Sequence, residues 1–176
     1  MFPAALHAAV KRLAREGLAR TAPSNDGRAA VVLDTHVWME CLHWRDPKAA
    51  PLERALREGD LVAALSEDSL MELAGVLSRP AFGAQDGDVL AVLERATASA
   101  RWCTPEALAA AAGELEARCV RCCDPEDQKF LALTRAAGAS ILFTRDRLLT
   151  KAAKKLRESG VKVLVPEAWP PKPEEK

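Results

Sequence analysis

Short, largely apolar runs alternate along this chain with longer stretches in which leucine and alanine recur at helical spacing. Runs of this kind are typical of strands that a parallel sheet buries on both faces. They lie at residues 30–33, 61–65, 102–103, 140–143 and 161–165. The stretches between them predict helices over residues 36–44, 49–58, 66–79 and 88–100, from 105 through an alanine-rich stretch, and over 124–137 and 148–159.

Strands that alternate with helices predict a parallel sheet covered by helices on both faces. The expected fold class is α/β, a three-layer α/β/α sandwich with a mainly parallel central sheet. An extra N-terminal helix is predicted over residues 3–18, where Leu6, Val10 and Leu13 recur at helical spacing between basic residues. It could pack on the domain, swap to a second subunit or hold a partner. The predicted divisions are an N-terminal helix and linker at 1–28, the main domain at 29–168 and a flexible tail at 169–176.

Composition narrows the function only slightly. Lys plus Arg and Asp plus Glu each total 25, so the formal charge is zero and a wholly basic surface for nucleic acid is excluded. No apolar run is long enough to cross a bilayer and no signal-peptide core is evident, so we expect a cytoplasmic protein without membrane partners. The five cysteines contain one C-x-x-C spacing without a second ligand pair, which favours buried free thiols over structural zinc.

Acidic residues stand where an α/β sheet places its ligands. Asp34 and Asp146 follow two of the predicted strands, and the carboxyl ends of parallel strands border the usual binding crevice. Asp124 and Asp127 open a helix, and Glu72 lies on the helix after the second strand. Each acid also has a structural interpretation as a helix cap, a capping-box partner or a solvated charge.

Several carboxylates in one pocket repel each other unless a hard cation lies among them. Mg²⁺ or Mn²⁺ prefers such oxygen ligands, activates water and neutralises charge on a phosphodiester. The set of acids without histidines therefore indicates chemistry on phosphate esters. Dinucleotide and nucleoside-triphosphate folds lack support, because neither G-x-G-x-x-G nor a Walker A sequence is present.

The order of these acids resembles the PIN domain family. The matching segments are V-V-L-D-T-H-V at 31–37, L-M-E-L-A-G-V-L-S-R-P at 70–80, C-D-P-E-D-Q-K-F-L at 123–131 and I-L-F-T-R-D-R-L-L at 141–149. The last two together are the specific part. Within the family the chain looks like the toxin components of bacterial and archaeal toxin–antitoxin pairs.

The resemblance implies a metal-dependent endoribonuclease with Mg²⁺ or Mn²⁺ as cofactor and products that carry 5′-phosphate and 3′-hydroxyl ends. It implies RNA as substrate, an antitoxin protein as a partner, and a homodimer or larger assembly. The implied catalytic and metal-binding residues are Asp34, Glu72, Asp127 and Asp146. Asp124 is a second-tier ligand, and Thr144 matches a hydroxyl residue near the metal.

Two positions depart from the family pattern. His36 stands where the family usually has Asn, and could replace its hydrogen bond, titrate and alter the site, or simply begin a helix. Arg145 stands where Gly is usual, and could reach a substrate phosphate or shield negative charge. Arg121 and Lys151 are further candidates for phosphate contacts, although an ordinary solvated face would explain such charges equally well.

Two functions therefore stay open on sequence alone. One is a metal-dependent ribonuclease, and the other is a catalytically weak PIN-fold module that binds RNA or a protein. Aromatic residues are scarce, so base-stacking platforms are not obvious, and Trp38 and Trp44 are predicted as core or dimer-interface residues.

Overall fold

The computed structural model describes residues 3–20, 28–82 and 86–170, and in them five parallel strands form one sheet. The strands are β1 (Ala29–Leu33), β2 (Leu61–Leu65), β3 (Arg101–Trp102), β4 (Ile141–Phe143) and β5 (Lys162–Leu164), in the order β3-β2-β1-β4-β5. The α/β class with a parallel central sheet is confirmed.

Helices connect and cover these strands. They are α1 (Ala4–Arg20), α2 (Thr35–Trp38), α3 (Ala50–Glu58), α4 (Glu67–Leu77), α5 (Asp86–Thr97), α6 (Pro105–Ala117), α7 (Gln128–Ala136) and α8 (Arg147–Ala153). Shorter turns complete the path: a π-helical turn at Met39–His43 and 3₁₀ turns at Pro80–Phe82, Pro125–Asp127, Lys154–Ser159 and Pro166–Ala168. None of the helices in these described ranges is long and apolar enough to cross a membrane.

The chain reverses its direction of travel across the sheet at β1. This strand pairs with β2 on one side and β4 on the other, and Leu33 lies in register with Phe143. The backbone N–H of Asp34 then donates to the carbonyl of Phe143 at 3.0 Å. The residues that follow β1 and β4 therefore meet at the topological switch point, where open α/β sheets bind ligands.

Two apolar layers enclose the sheet, because side chains alternate between its faces. Val31 and Leu33 point into a layer shared with α1, α4 and α5, whereas Ala30 and Val32 point into the layer shared with α6, α7 and α8. This alternation gives the predicted three-layer sandwich.

The extra N-terminal helix packs on the domain. Leu6, Val10, Leu13 and Ala14 are buried in the same core layer as α4 and α5. A Cβ atom at Gly17 would lie 2.0 Å from Nε1 of Trp102, so the helix approaches β3 closely at this point. Most of the predicted linker, residues 21–27, lies outside the described residues, as does most of the predicted tail, residues 171–176.

Several predicted elements need correction at their ends. The helix expected over 36–44 turns π-helical after Trp38, since the N–H of Trp44 donates to the carbonyl of Met39, five residues earlier, at 2.8 Å. The helix expected over 148–159 is α-helical only to Ala153 and continues as a 3₁₀ turn. The third strand is Arg101–Trp102 rather than 102–103.

Candidate functional site

Asp34 is held at the carboxyl end of β1 by several donors. Its Oδ1 caps α2 by accepting the N–H of Val37 at 2.8 Å, and the hydroxyl of Thr144 and the N–H of Arg145 also donate to its carboxylate. The residue is only 6% exposed. Burial raises the pKa of Asp34, while the hydrogen bonds from Thr144 and Val37 oppose that rise.

Thr144 joins Asp34 to Asp146. The threonine is buried after β4, and its Oγ accepts the N–H of Asp146 at 2.9 Å. Oδ1 of Asp146 caps α8 by accepting the N–H of Leu149 at 2.7 Å. The capping interpretation of both acids is thus confirmed, and it coexists with a shared position at the switch point, since each capping bond uses one carboxylate oxygen.

Asp127 lies near the other four candidate acids. It is the last residue of the 3₁₀ turn and the N-cap residue of α7, and its side chain makes no capping hydrogen bond. Burial raises the pKa of Asp127 to about 6, and the charges of Asp146, Asp124, Glu72 and Asp34 add to that rise. Four other carboxylates therefore lie near enough for their charges to act on Asp127, so the fold brings the predicted acids into one region.

The capping box expected between Asp124 and Asp127 is not formed. Asp124 instead accepts the N–H of Glu126 at 2.9 Å, because the chain makes a 3₁₀ turn before it enters α7. A reciprocal capping box exists at the start of α4, between Ser66 and Ser69. Asp127 is consequently left without a structural hydrogen bond from its own helix.

Glu72 reaches the site from the middle of α4. Its Oε1 accepts the hydroxyl of Thr35 at 2.6 Å, and its Oε2 lies 2.5 Å from Nζ of Lys129. The side chain of Lys129 is only 23% exposed and also approaches Glu126 at 3.8 Å. Neither Lys129 nor Thr35 was predicted as a site residue. Their positions are a possible signal, because Lys129 lies two residues after Asp127 and Thr35 directly follows Asp34.

The donor set suits an oxygen-seeking divalent cation. Carboxylates supply all of the candidate ligands. Burial and mutual repulsion both raise the pKa of Asp127, and a bound cation would offset both costs. Across residues 3–20, 28–82 and 86–170, however, no three His, Cys, Asp or Glu side chains already stand close enough together to hold one ion. Binding would therefore require side-chain adjustment, beginning with Glu72, which Lys129 now holds.

His36 and Arg145 converge on Glu40, an acid that the sequence analysis did not single out. Glu40 is 4% exposed, and its Oε1 lies 2.5 Å from Nε of Arg145 and 3.3 Å from Nε2 of His36. Arg145 also pairs with Glu167 at 2.8 Å. Arg145 therefore acts first as the counter-ion of a buried carboxylate, and its role toward a phosphate stays a prediction.

The other candidate phosphate contacts lie on the surface. Arg121 pairs with Glu116 at 3.1 Å, and Lys151 is exposed on α8. Their role also stays a prediction. All five cysteines are free thiols. Cys41 and Cys103 are buried as expected, whereas Cys122 is half-buried and Cys119 and Cys123 are exposed.

Comparison with protein families decides what kind of domain carries this site. The PIN domain model matches residues 30–148, which is more than half of the chain. The chain belongs to the PIN domain family. PIN domains are in general nucleases and typically use divalent metals. The match spans all five candidate acids and ends before β5. No curated protein matches the chain.

Proposed function

We propose that this PIN domain is a divalent-metal-dependent endoribonuclease that hydrolyses phosphodiester bonds of RNA. The observation that carries the proposal is the convergence of Asp146, Asp124, Glu72 and Asp34 on Asp127, whose pKa they help to raise to about 6. Capping bonds account for one oxygen each of Asp34, Asp124 and Asp146, but Asp127 caps nothing. The repulsion that Asp127 meets costs stability unless it serves binding.

Asp34, Glu72, Asp127 and Asp146 would hold Mg²⁺ or Mn²⁺, with Asp124 as an outer ligand. When bound, such a cation activates water and neutralises charge on the phosphodiester. The chain's own residues supply orientation. Thr144 donates to Asp34, and Thr35 donates to Glu72, so each carboxylate presents a defined oxygen to the pocket.

We further propose that the protein acts in the cytoplasm as the toxin of a toxin–antitoxin pair and assembles as a homodimer or larger oligomer with an antitoxin as partner. The similarity of its motif segments to the toxin components of toxin–antitoxin pairs supports the proposed role as a toxin. The alternative function is a PIN-fold module with weak catalysis that binds RNA or a protein. The ion pair of Lys129 with Glu72 favours this alternative, because it occupies a ligand that the cation needs.

Cleavage of RNA by the purified protein with Mn²⁺ separates the two functions. Mutation of a residue that only supports a metal ligand typically lowers activity by about 10- to 100-fold. Asp34 and Asp127 are proposed as ligands themselves, so Asp34→Asn and Asp127→Asn should each lower the cleavage rate by at least about 100-fold. Glu126→Gln is the matched control, since it removes one charge from an exposed neighbour of Asp127. Cleavage at the wild-type rate in both site variants would overturn the nuclease proposal, and acid-dependent Mn²⁺ binding without turnover would favour the alternative.

A further inference from the structure

The side chain of Arg145 joins three segments of the chain beside the acidic site. Its Nε lies 2.5 Å from Oε1 of Glu40, which belongs to the π-helical turn Met39–His43. Its Nη1 and Nη2 lie 3.0 Å and 2.8 Å from the two carboxylate oxygens of Glu167, in the turn Pro166–Ala168. Arg145 itself stands in the connection between β4 and α8. We call Glu40, Arg145 and Glu167 the clamp.

The contacts of the clamp fix the guanidinium in one position. Arg145 meets Glu167 through both Nη atoms and both carboxylate oxygens, the geometry that makes arginine–carboxylate pairs strong and directional. On the other side, the side chain of Glu40 is only 5% exposed, so water competes little with Arg145 for its oxygen. Arg145 is therefore held both at its Nε and at the end of its guanidinium group.

Stability alone does not account for the buried half of the clamp. Oε2 of Glu40 is buried and has no hydrogen-bond partner among the described residues, so Oε1 carries the contacts to Arg145 and His36. Two apolar side chains of similar size in place of such a buried ion pair often leave stability unchanged or raise it. What the ion pair provides, and apolar side chains would not, is a fixed direction for the arginine.

The main chain at Arg145 carries groups of the candidate metal site. Thr144, the residue before it, donates its hydroxyl to the carboxylate of Asp34, and the residue after it is the candidate ligand Asp146. The N–H of Arg145 also donates to the carboxylate of Asp34. A shift of the main chain at Arg145 would therefore disturb two candidate ligands together.

Regular secondary structure leaves the position of Arg145 open. Thr144 donates its N–H to the carbonyl of Leu164 at 3.0 Å, which continues the pairing of β4 with β5 by one residue. Asp146 is already the N-cap residue of α8. Arg145 falls between the last bond of the sheet and the first turn of the helix, so side-chain contacts have to hold it there.

The charges of the clamp argue against a phosphate contact by Arg145. Two carboxylates already share its single positive charge, and the hydrogen bond from Arg145 lowers the pKa of Glu167. A substrate phosphate would have to displace Glu167 from the guanidinium, and it could not replace the contact to Glu40 without leaving a buried carboxylate unpaired. The turn that carries Glu167 is also anchored, since the ring centroids of Trp169 and Phe143 lie 6.3 Å apart.

We infer that Arg145 is a positioning residue of the metal site, held by Glu40 and Glu167, and not a contact for substrate phosphate. Its guanidinium fixes the connection from β4 to α8, so the turn Pro166–Ala168, which lies beyond the residues matched by the PIN domain model, takes part in the site. The inference rests on the proposed function, because it takes the acids as ligands of the cation. Residues that orient metal ligands typically change metal affinity by about 10- to 100-fold when they are mutated.

The test is calorimetric binding of Mn²⁺ to a variant that removes the buried ion pair without a change of net charge. Glu40→Met combined with Arg145→Met replaces the pair by apolar side chains, so we expect this double variant to fold with a stability equal to or above that of the wild type. Its Kd for Mn²⁺ should nevertheless rise by about 10- to 100-fold. A role in stability alone predicts no such loss of affinity.

Single substitutions at Arg145 separate position from charge. Arg145→Met removes a positive charge, and by charge alone it would bind a cation more tightly. Loss of position has the opposite effect, so we expect a Kd for Mn²⁺ that is raised by about 10- to 100-fold. Arg145→Lys keeps the charge but loses the planar fork that meets both oxygens of Glu167, and it should raise the Kd by about tenfold.

The control is Arg12→Gln combined with Glu16→Gln, which removes an exposed ion pair of the same residue types from α1. It should leave the Kd for Mn²⁺ unchanged. Urea unfolding in EDTA checks that every variant is folded under the binding conditions.

Three outcomes would overturn the inference. They are an unchanged Mn²⁺ affinity of the folded double variant, tighter Mn²⁺ binding by Arg145→Met, and weaker RNA binding in EDTA by Arg145→Lys with its Mn²⁺ affinity intact. The last outcome would assign Arg145 to the substrate phosphate.

Failure of the nuclease proposal has a different signature. If the wild type neither binds Mn²⁺ nor cleaves RNA, the nuclease proposal and the role of Arg145 both fall. If Mn²⁺ binding and cleavage are lost in Asp127→Asn but kept in the double variant, the nuclease proposal stands and only the role of Arg145 is refuted.

Discussion

The replacement Asp127→Asn should abolish activity and at the same time stabilise the metal-free protein. Burial, together with repulsion from four other acids, raises the pKa of Asp127 from 3.8 to about 6. The folded protein therefore keeps a proton on this carboxyl at pH values where the unfolded chain has released it. The free energy of unfolding therefore falls as the pH rises from about 4 to about 6. Above that range the folded protein bears the full cost of the charged Asp127.

The magnitude follows from the same two pKa values. A change from 3.8 to about 6 corresponds to about 3 kcal/mol at neutral pH if it acted in full. Asp127 is partly exposed, and solvent screening reduces this figure. A carboxylate at the start of α7 also gains about 0.3–1 kcal/mol from the helix dipole, which the amide loses. Because Asp127 makes no capping hydrogen bond that the amide would have to replace, we expect a net stabilisation of about 1 kcal/mol.

Urea unfolding in EDTA measures this difference. At pH 7.5 Asp127→Asn should be more stable than the wild type by about 1 kcal/mol, or about 2–4 °C in Tm, and below about pH 4 the two should coincide. Glu126→Gln, which removes an equal charge from an exposed side chain, should change stability by less than about 0.5 kcal/mol. An Asp127→Asn variant that is no more stable at pH 7.5, or whose advantage does not vanish in acid, would refute the raised pKa of Asp127.

Two further predictions concern Lys129 and α1. Lys129→Met removes the cation that now pairs with Glu72, so calorimetry should show about tenfold tighter Mn²⁺ binding, about 1.4 kcal/mol. Lys129→Arg, the control, should change the Mn²⁺ affinity little. Weaker Mn²⁺ binding by Lys129→Met would show that the lysine supports the metal site. Gly17→Ala should lower the free energy of unfolding in urea by about 1–2 kcal/mol, because the new Cβ would collide with Trp102. Gly113→Ala, whose Cβ meets nothing within 4 Å, should raise the free energy of unfolding by about 0.5–1 kcal/mol. Equal behaviour of the two glycine variants would contradict the close packing of α1 on β3.

The positions of the acids followed from local patterns. Asp34 and Asp146 end apolar runs, and in a parallel sheet residues at strand ends share one edge, so their proximity was predictable. The helix-capping role of both was predictable for the same local reason, since an acid before a helix satisfies free N–H groups. The capping box at Asp124 failed because a 3₁₀ turn and an α-helical turn begin with similar sequences.

The pattern of apolar and polar residues could not predict ion pairs between residues that are distant in the chain. Lys129 and Glu72 come from different helices, and Glu40, Arg145 and Glu167 come from three segments. Nothing in the periodicity of a single segment says which surface charge on another will face it. The exposure of Trp44, at 42%, was similarly hidden, and this residue follows a π-helical turn that helical spacing does not reveal.

By itself, then, the sequence determined the α/β class, the strand ends that carry the acids and the family to which the chain belongs. It could do so because burial periodicity and end-of-strand chemistry are local properties that leave a mark on every segment. Tertiary structure alone decided that Glu72 is held by Lys129, that Arg145 pairs with the buried Glu40 and that Trp44 is exposed. Those outcomes depend on crossing angles and backbone irregularities that bring segments together, and such geometry is set by packing of the whole chain rather than by any one stretch of it.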